Sequence, residues 1–180
     1  MNLPNKISIF RLLLVPGIVA SLIYYAPDRD GLRFVALALF LIGVVSDAVD
    51  GYIARRHRLQ TELGTLLDPI ADKFLILGTL ISCSVIQGLP AWMHVPAWFN
   101  LIVISRDVLL VAGAAVLFIV KGRWHVRPSW MGKCTTVAQM SVILAMLLGW
   151  PVAGWLLPLA AACTVFSGII YIRAGVAALS

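Results

Sequence analysis

Apolar stretches of about 20 residues, the length a helix needs to cross a bilayer, recur along this 180-residue chain. They cover roughly 7–26, 32–54, 67–88, 96–120, 134–150 and 152–174. Short polar segments separate them: "YYAPDRDG", "ARRHRLQTE", "QGLPAWMHVPAW", "KGRWHVRPSWMGK" and "GWPVAGW". The pattern predicts an all-α integral membrane protein of six transmembrane helices, forming one domain over 1–180. The last two runs are short and predict a helical hairpin or one broken unit. The opening run is read as a retained helix and not a cleaved signal, because Arg11 lies inside it and no small-residue cleavage site follows.

Composition agrees. Hydrophobic residues make up 61% and charged residues only 12%, and mean hydropathy is +0.97. The net charge of +6 is unevenly distributed. With six crossings, the N-terminus, the 2–3 and 4–5 loops and the C-terminus share one side. Eleven of the fourteen basic residues fall there, which predicts cytoplasmic termini. Such a face attracts anionic headgroups or phosphorylated substrates. Nucleic acid is not an expected partner, since the cations flank spans and form no separate domain. Cys83, Cys134 and Cys163 form no C-x-x-C pair and read as buried thiols. The six tryptophans fall near span ends, as an interfacial belt does.

The acidic residues change the picture. Of eight, Asp47, Asp50, Asp68, Asp72 and Asp107 lie within or at the ends of apolar segments. An isolated charge near a bilayer centre costs roughly 2.5–3.5 kcal/mol on insertion scales. Asp47 and Asp50 are three apart, Asp68 and Asp72 four apart, so each pair shares a helix face. A loop of about ten residues makes the two helices antiparallel neighbours whose faces can meet. Four carboxylates in one place need a cation. Oxygen donors suit Mg²⁺, Mn²⁺ or Ca²⁺, and four can hold two ions for phosphoryl chemistry. Gly51 and Ala54 leave a strip without side-chain bulk, open to a flat ligand or to helix packing. Pro69 marks a start or bend of the third helix. Asn5, Ser8 and Arg11 share a face of the first helix, which either borders the site or lies at the interface.

The stretch resembles the signature of the CDP-alcohol phosphatidyltransferases, D-x-x-D-G-x-x-A-R, eight residues, then G-x-x-x-D-x-x-x-D. Here it reads Asp47, Asp50, Gly51, Ala54, Arg55, Gly64, Asp68 and Asp72, every spacing met. "NLPNKISIFRLLLVP" and "SWMGKCTTVAQM" are similar to stretches of the bacterial phosphatidylglycerophosphate synthases within that family. The resemblance implies a multi-pass enzyme of the bacterial inner membrane, usually a homodimer, with a polar cavity facing the cytoplasm. It implies that CDP-diacylglycerol gives its phosphatidyl group to an alcohol and releases CMP. Asp47, Asp50, Asp68 and Asp72 would hold Mg²⁺ or Mn²⁺, as two ions, with Asp72 also the base. Asp47, Asp50, Gly51, Ala54, Arg55 and Gly64 would line the CDP site.

The acceptor is read from cations. Arg106 is the basic residue inside an apolar span, in "IVISRDVLLV"; adjacent Asp107 points elsewhere on a helix and is the weaker partner. Arg106, Lys133 and Lys73 suit an acceptor bearing a phosphate, glycerol 3-phosphate first. The Arg106-Asp107 pair is similar to that of eukaryotic-type cardiolipin synthases, whose acceptor is phosphatidylglycerol. A small cation transporter is the non-enzyme alternative, but the aspartates gather near one side and the loop between them is basic.

Overall fold

The computed structural model describes residues 3–57, 62–121 and 130–179, with the side chains of 7–47, 70–117, 119–120 and 130–177. Six helices follow in order: α1 (Leu3–Ile23), α2 (Gly31–His57), α3 (Glu62–Val85), α4 (Ala97–Lys121), α5 (Trp130–Leu148) and α6 (Ala153–Leu179). Single 3₁₀ turns at Pro27–Arg29 and Ala91–Met93 join α1 to α2 and α3 to α4. No strand occurs among the described residues. Each apolar run thus becomes a helix. The third begins at Glu62 and continues past Pro69, so the proline does not mark its start. The last two runs are separate helices divided by Gly149–Val152.

α4, α5 and α6 are long and apolar enough to cross a bilayer, and α1 carries a shorter apolar stretch, Ile7–Ile23. Large side chains such as Leu101, Val111, Ile119, Leu159 and Phe166 point outward. Water would make that surface costly, whereas lipid makes it the natural exterior. Hydroxyls bond within their own helices: Ser21 donates to the Gly17 carbonyl at 2.8 Å, Thr79 to Leu75 at 2.8 Å and Ser82 to Gly78 at 2.7 Å. This satisfies groups that hydrocarbon cannot. The protein is a multi-pass membrane protein.

Contacts gather the chain into two units, Met1–Val95 with Met146–Gly149, and Pro96–Ala145 with Trp150–Ser180. In the first, α1 packs along both α2 and α3, which among the described residues touch each other only slightly. Glycines set the close approaches. A Cβ on Gly43 would lie 2.8 Å from a Leu75 methyl, and one on Gly78 2.7 Å from Val15. Ile18, Leu22, Phe40, Leu75, Ile76 and Leu80 fill the space between the helices.

Arg33 ties the far end of this unit together. Nε and Nη2 donate to the Asp30 carboxylate at 2.9 and 2.7 Å, and Nη1 donates to the Leu147 carbonyl at 3.4 Å. The guanidinium also lies 5.2 Å from the Trp92 ring centre, within cation–π range. Gly149 turns the chain beside it at φ +70°, and a Cβ there would sit 2.8 Å from Arg33 Nη1. Gly149→Ala is therefore expected to cost about 1–2 kcal/mol from the left-handed backbone alone, read as a lower melting temperature of the detergent-purified protein.

In the second unit α4 packs on α6, and Tyr171 donates to the Leu110 carbonyl at 3.0 Å. α5 reaches α6 through polar side chains: Thr135 donates to the Cys163 carbonyl and Gln139 Nε2 to Thr164 Oγ1, both at 3.4 Å. Of the three thiols, Cys83 is buried, Cys163 half-buried and Cys134 exposed on α5. The reading of all three as buried fails at Cys134, which faces outward, where lipid would cover it.

Candidate active site

Arg11 organises the first unit. It stands in the middle of α1 with its side chain wholly buried. Its Nη1 lies 3.1 Å from Asp47 Oδ1 on α2 and pairs more closely with Asp72 Oδ1 on α3. Asp47 is ten positions before the end of α2 and Asp72 ten after the start of α3. The two carboxylates therefore reach the same level from antiparallel helices. Their side chains are 38% and 25% exposed against 0% for Arg11, so the cation lies beneath and the acids face out. A buried guanidinium is tolerable only when paired, and this one meets its carboxylates on two different helices.

The sequence pattern makes α2 and α3 antiparallel neighbours whose acidic faces can meet. Among the described residues their contact is slight, and α1 supplies the meeting point. Like charges facing one another repel, and a cation carried by a third helix relieves this. The side chains of Asp50, Gly51, Ala54, Arg55, Gly64 and Asp68 lie outside the described residues; the helix bounds put the first four on α2 and the other two on α3. Lys73 follows Asp72 on α3 and is half-buried.

A divalent cation fits what is described. Asp47 and Asp72 offer hard oxygen donors, and both already converge on one positively charged nitrogen. A carboxylate accepts on both oxygens, so contact with Arg11 through Oδ1 is compatible with metal ligation. Among the described residues alone, no group of three or more possible ligands comes together.

Arg106 lies in the second unit, on α4, 8% exposed. Nη1 donates to Asp107 Oδ1 at 2.9 Å and Nη2 to Ser167 Oγ on α6 at 2.8 Å. The expectation that Asp107 points away fails, because the long arginine side chain folds back onto its neighbour. Across the helix interface it meets a hydroxyl and not an acid. Its Nε is buried and has no partner among the described residues. Lys133, also in this unit, is exposed, its ammonium 5.7 Å from the Trp130 ring centre.

Arg11 is the residue that sequence reasoning undervalued. The signal was present: a full charge in an apolar run, three positions after Ser8 on one helix face, with both side chains now fully buried.

The model of the CDP-alcohol phosphatidyltransferase family matches residues 1–166. The chain belongs to this family. It is 32% identical to the CDP-diacylglycerol–glycerol-3-phosphate 3-phosphatidyltransferase of Haemophilus influenzae, over 96% of this chain and 92% of that one. It is 35% identical to a probable phosphatidylglycerophosphate synthase of Mycobacterium tuberculosis, over 95% of this chain and 80% of the relative. With the CDP-diacylglycerol–glycerol-3-phosphate 3-phosphatidyltransferase of Escherichia coli K12 the identity is 34%, over 83% and 78%. The protein is thus a CDP-alcohol phosphatidyltransferase, an enzyme of a family that is in general metal-dependent. Among the described residues, Asp47 and Asp72, the first and last aspartates of that family's motif, meet on Arg11.

Proposed function

We propose that the enzyme transfers the phosphatidyl group of CDP-diacylglycerol to glycerol 3-phosphate, giving phosphatidylglycerophosphate and CMP. The observation that carries this reading is the convergence of Asp47 and Asp72 on one buried cation. It supports a single site made from both ends of the motif, and the printed activities of the relatives support the acceptor.

In the proposed reaction the acceptor hydroxyl oxygen bonds to the lipid-linked phosphorus. The bond from that phosphorus to the bridging oxygen breaks, and CMP leaves with the electron pair. Asp72 takes the hydroxyl proton, which makes a weak alcohol nucleophilic. Asp47, Asp50, Asp68 and Asp72 are the residues that would hold Mg²⁺ or Mn²⁺, as two ions, whose charge offsets that of the diphosphate. Asp47, Asp50, Gly51, Ala54, Arg55 and Gly64 are assigned to CDP.

For the acceptor phosphate we assign Arg106, Lys133 and Lys73. Arg106 has the strongest support, since its charge is buried and its Nε has no partner among the described residues. An anion would match that donor. The basic bias of the loops supports six crossings of a bacterial inner membrane with site and termini cytoplasmic, and family resemblance supports a homodimer.

The pairing of Arg106 with Asp107 favours one second reading, phosphatidylglycerol as acceptor in a cardiolipin synthase. Incubating the purified protein with CDP-diacylglycerol and labelled glycerol 3-phosphate is expected to move the label into the lipid extract. Label that stays in water overturns the proposal.

A further inference from the structure

We propose that Arg11 is a positioning residue of the active site, setting the separation between Asp47 and Asp72 so that they can serve one metal-dependent centre. The proposal rests on the reading of those aspartates as metal ligands and base.

The geometry is specific. One guanidinium nitrogen of α1 contacts one carboxylate oxygen on α2 and one on α3. The next turn of the same three helices holds a second, apolar junction. Leu14 is three positions after Arg11, Gly43 four before Asp47, and Leu75 three after Asp72. A Cβ on Gly43 would lie 2.8 Å from Leu75 and 3.6 Å from Leu14. Residues three or four apart share a helix face, so the polar junction is stacked directly on the apolar one. Leu14 and Leu75 are buried, and the close approach allowed by Gly43 fixes how near α2 and α3 come to α1. Arg11 therefore has its place dictated by packed neighbours, which a flexible surface counter-ion would not.

The residue type fits. Arginine presents several donors on a rigid plane, whereas lysine is a single point charge on a flexible four-carbon stem. A lysine at this position keeps the charge but not the fixed bridge between two carboxylates. Arg11 touches the groups that would do the chemistry, so its contribution is to their placement. Residues that orient metal ligands in this way affect metal affinity or activity by about 10–100-fold.

The test uses the full-length protein in detergent, with Arg11→Lys and Arg11→Met. Mn²⁺ binding is followed by the paramagnetic resonance of the free ion, without lipid or acceptor. Arg11→Lys is expected to keep the wild-type helix content and elution volume while binding Mn²⁺ at least about tenfold more weakly. In turnover its kcat should fall by a similar factor, with the KM for glycerol 3-phosphate within about threefold of wild type. Wild-type Mn²⁺ affinity in both variants would make Arg11 a dispensable counter-ion. Tighter binding in Arg11→Met would make it a competitor of the metal. Either result, or a wild type that binds no Mn²⁺, overturns the proposal.

Arg11→Met also leaves Asp47 and Asp72 facing each other without their cation and can lower the folded yield. The double variant Arg11→Met/Asp72→Asn removes both charges and should regain it; no recovery refutes the pairing. Because the Mn²⁺ arm contains no acceptor, failure of the glycerol 3-phosphate reading leaves it interpretable.

Discussion

Asp72→Asn is expected to lower kcat for CMP release by about 10³-fold, in the range that loss of a positioned general base produces. The substitution keeps the shape of the side chain and an oxygen able to accept from Arg11, so α3 should stay where it is. What it removes is the charge that takes the hydroxyl proton and contributes to metal binding. Steady-state kinetics at saturating substrates, with circular dichroism to verify helix content, measure this. More than about a tenth of wild-type turnover would mean that another group accepts the proton.

The second large effect is expected at Arg106. Arg106→Ala should raise the KM for glycerol 3-phosphate about 10–100-fold, the equivalent of losing one charge-assisted hydrogen bond of about 1.5–3 kcal/mol. The KM for CDP-diacylglycerol should stay within about threefold, because the acceptor phosphate alone is assigned to this cation. Lys133→Ala should act in the same direction but more weakly, since Lys133 is exposed and an exposed cation contributes less. An unchanged acceptor KM in Arg106→Ala would assign Arg106 a purely structural role, as the bridge from Asp107 to Ser167.

The helical framework was legible in the sequence because hydrocarbon demands runs of apolar residues with internally bonded backbone. All six runs became helices. Their ends were less legible: Pro69 reads as a start or bend of the third helix, yet α3 already begins at Glu62. The acidic signature was fully visible as spacing, and it led to the family. How its two halves meet was not visible. Periodicity along α2 and α3 gives the faces of each helix, but the helix between them is a matter of tertiary packing. Arg11 shows this best, since its charge was plain while its partners lie on α2 and α3, 36 and 61 positions further along the chain. Asp107 gives the opposite lesson: helical geometry alone points it away from Arg106, and a long flexible side chain overrode that rule.

Those two neighbours also bear on the choice of acceptor. Glycerol 3-phosphate and phosphatidylglycerol both carry a phosphate, so the proposed role of Arg106 does not distinguish them. They differ in the lipid attached to that phosphate and in the partition of the product. The relatives named for the glycerol 3-phosphate reaction cover most of this chain, which is why that acceptor leads.

The acceptor is decided by CMP release from CDP-diacylglycerol by the purified enzyme with Mg²⁺ or Mn²⁺, glycerol 3-phosphate and phosphatidylglycerol being supplied in separate reactions. Metal-dependent release is expected with glycerol 3-phosphate and none with phosphatidylglycerol. Release with phosphatidylglycerol alone would contradict it and make the protein a cardiolipin synthase.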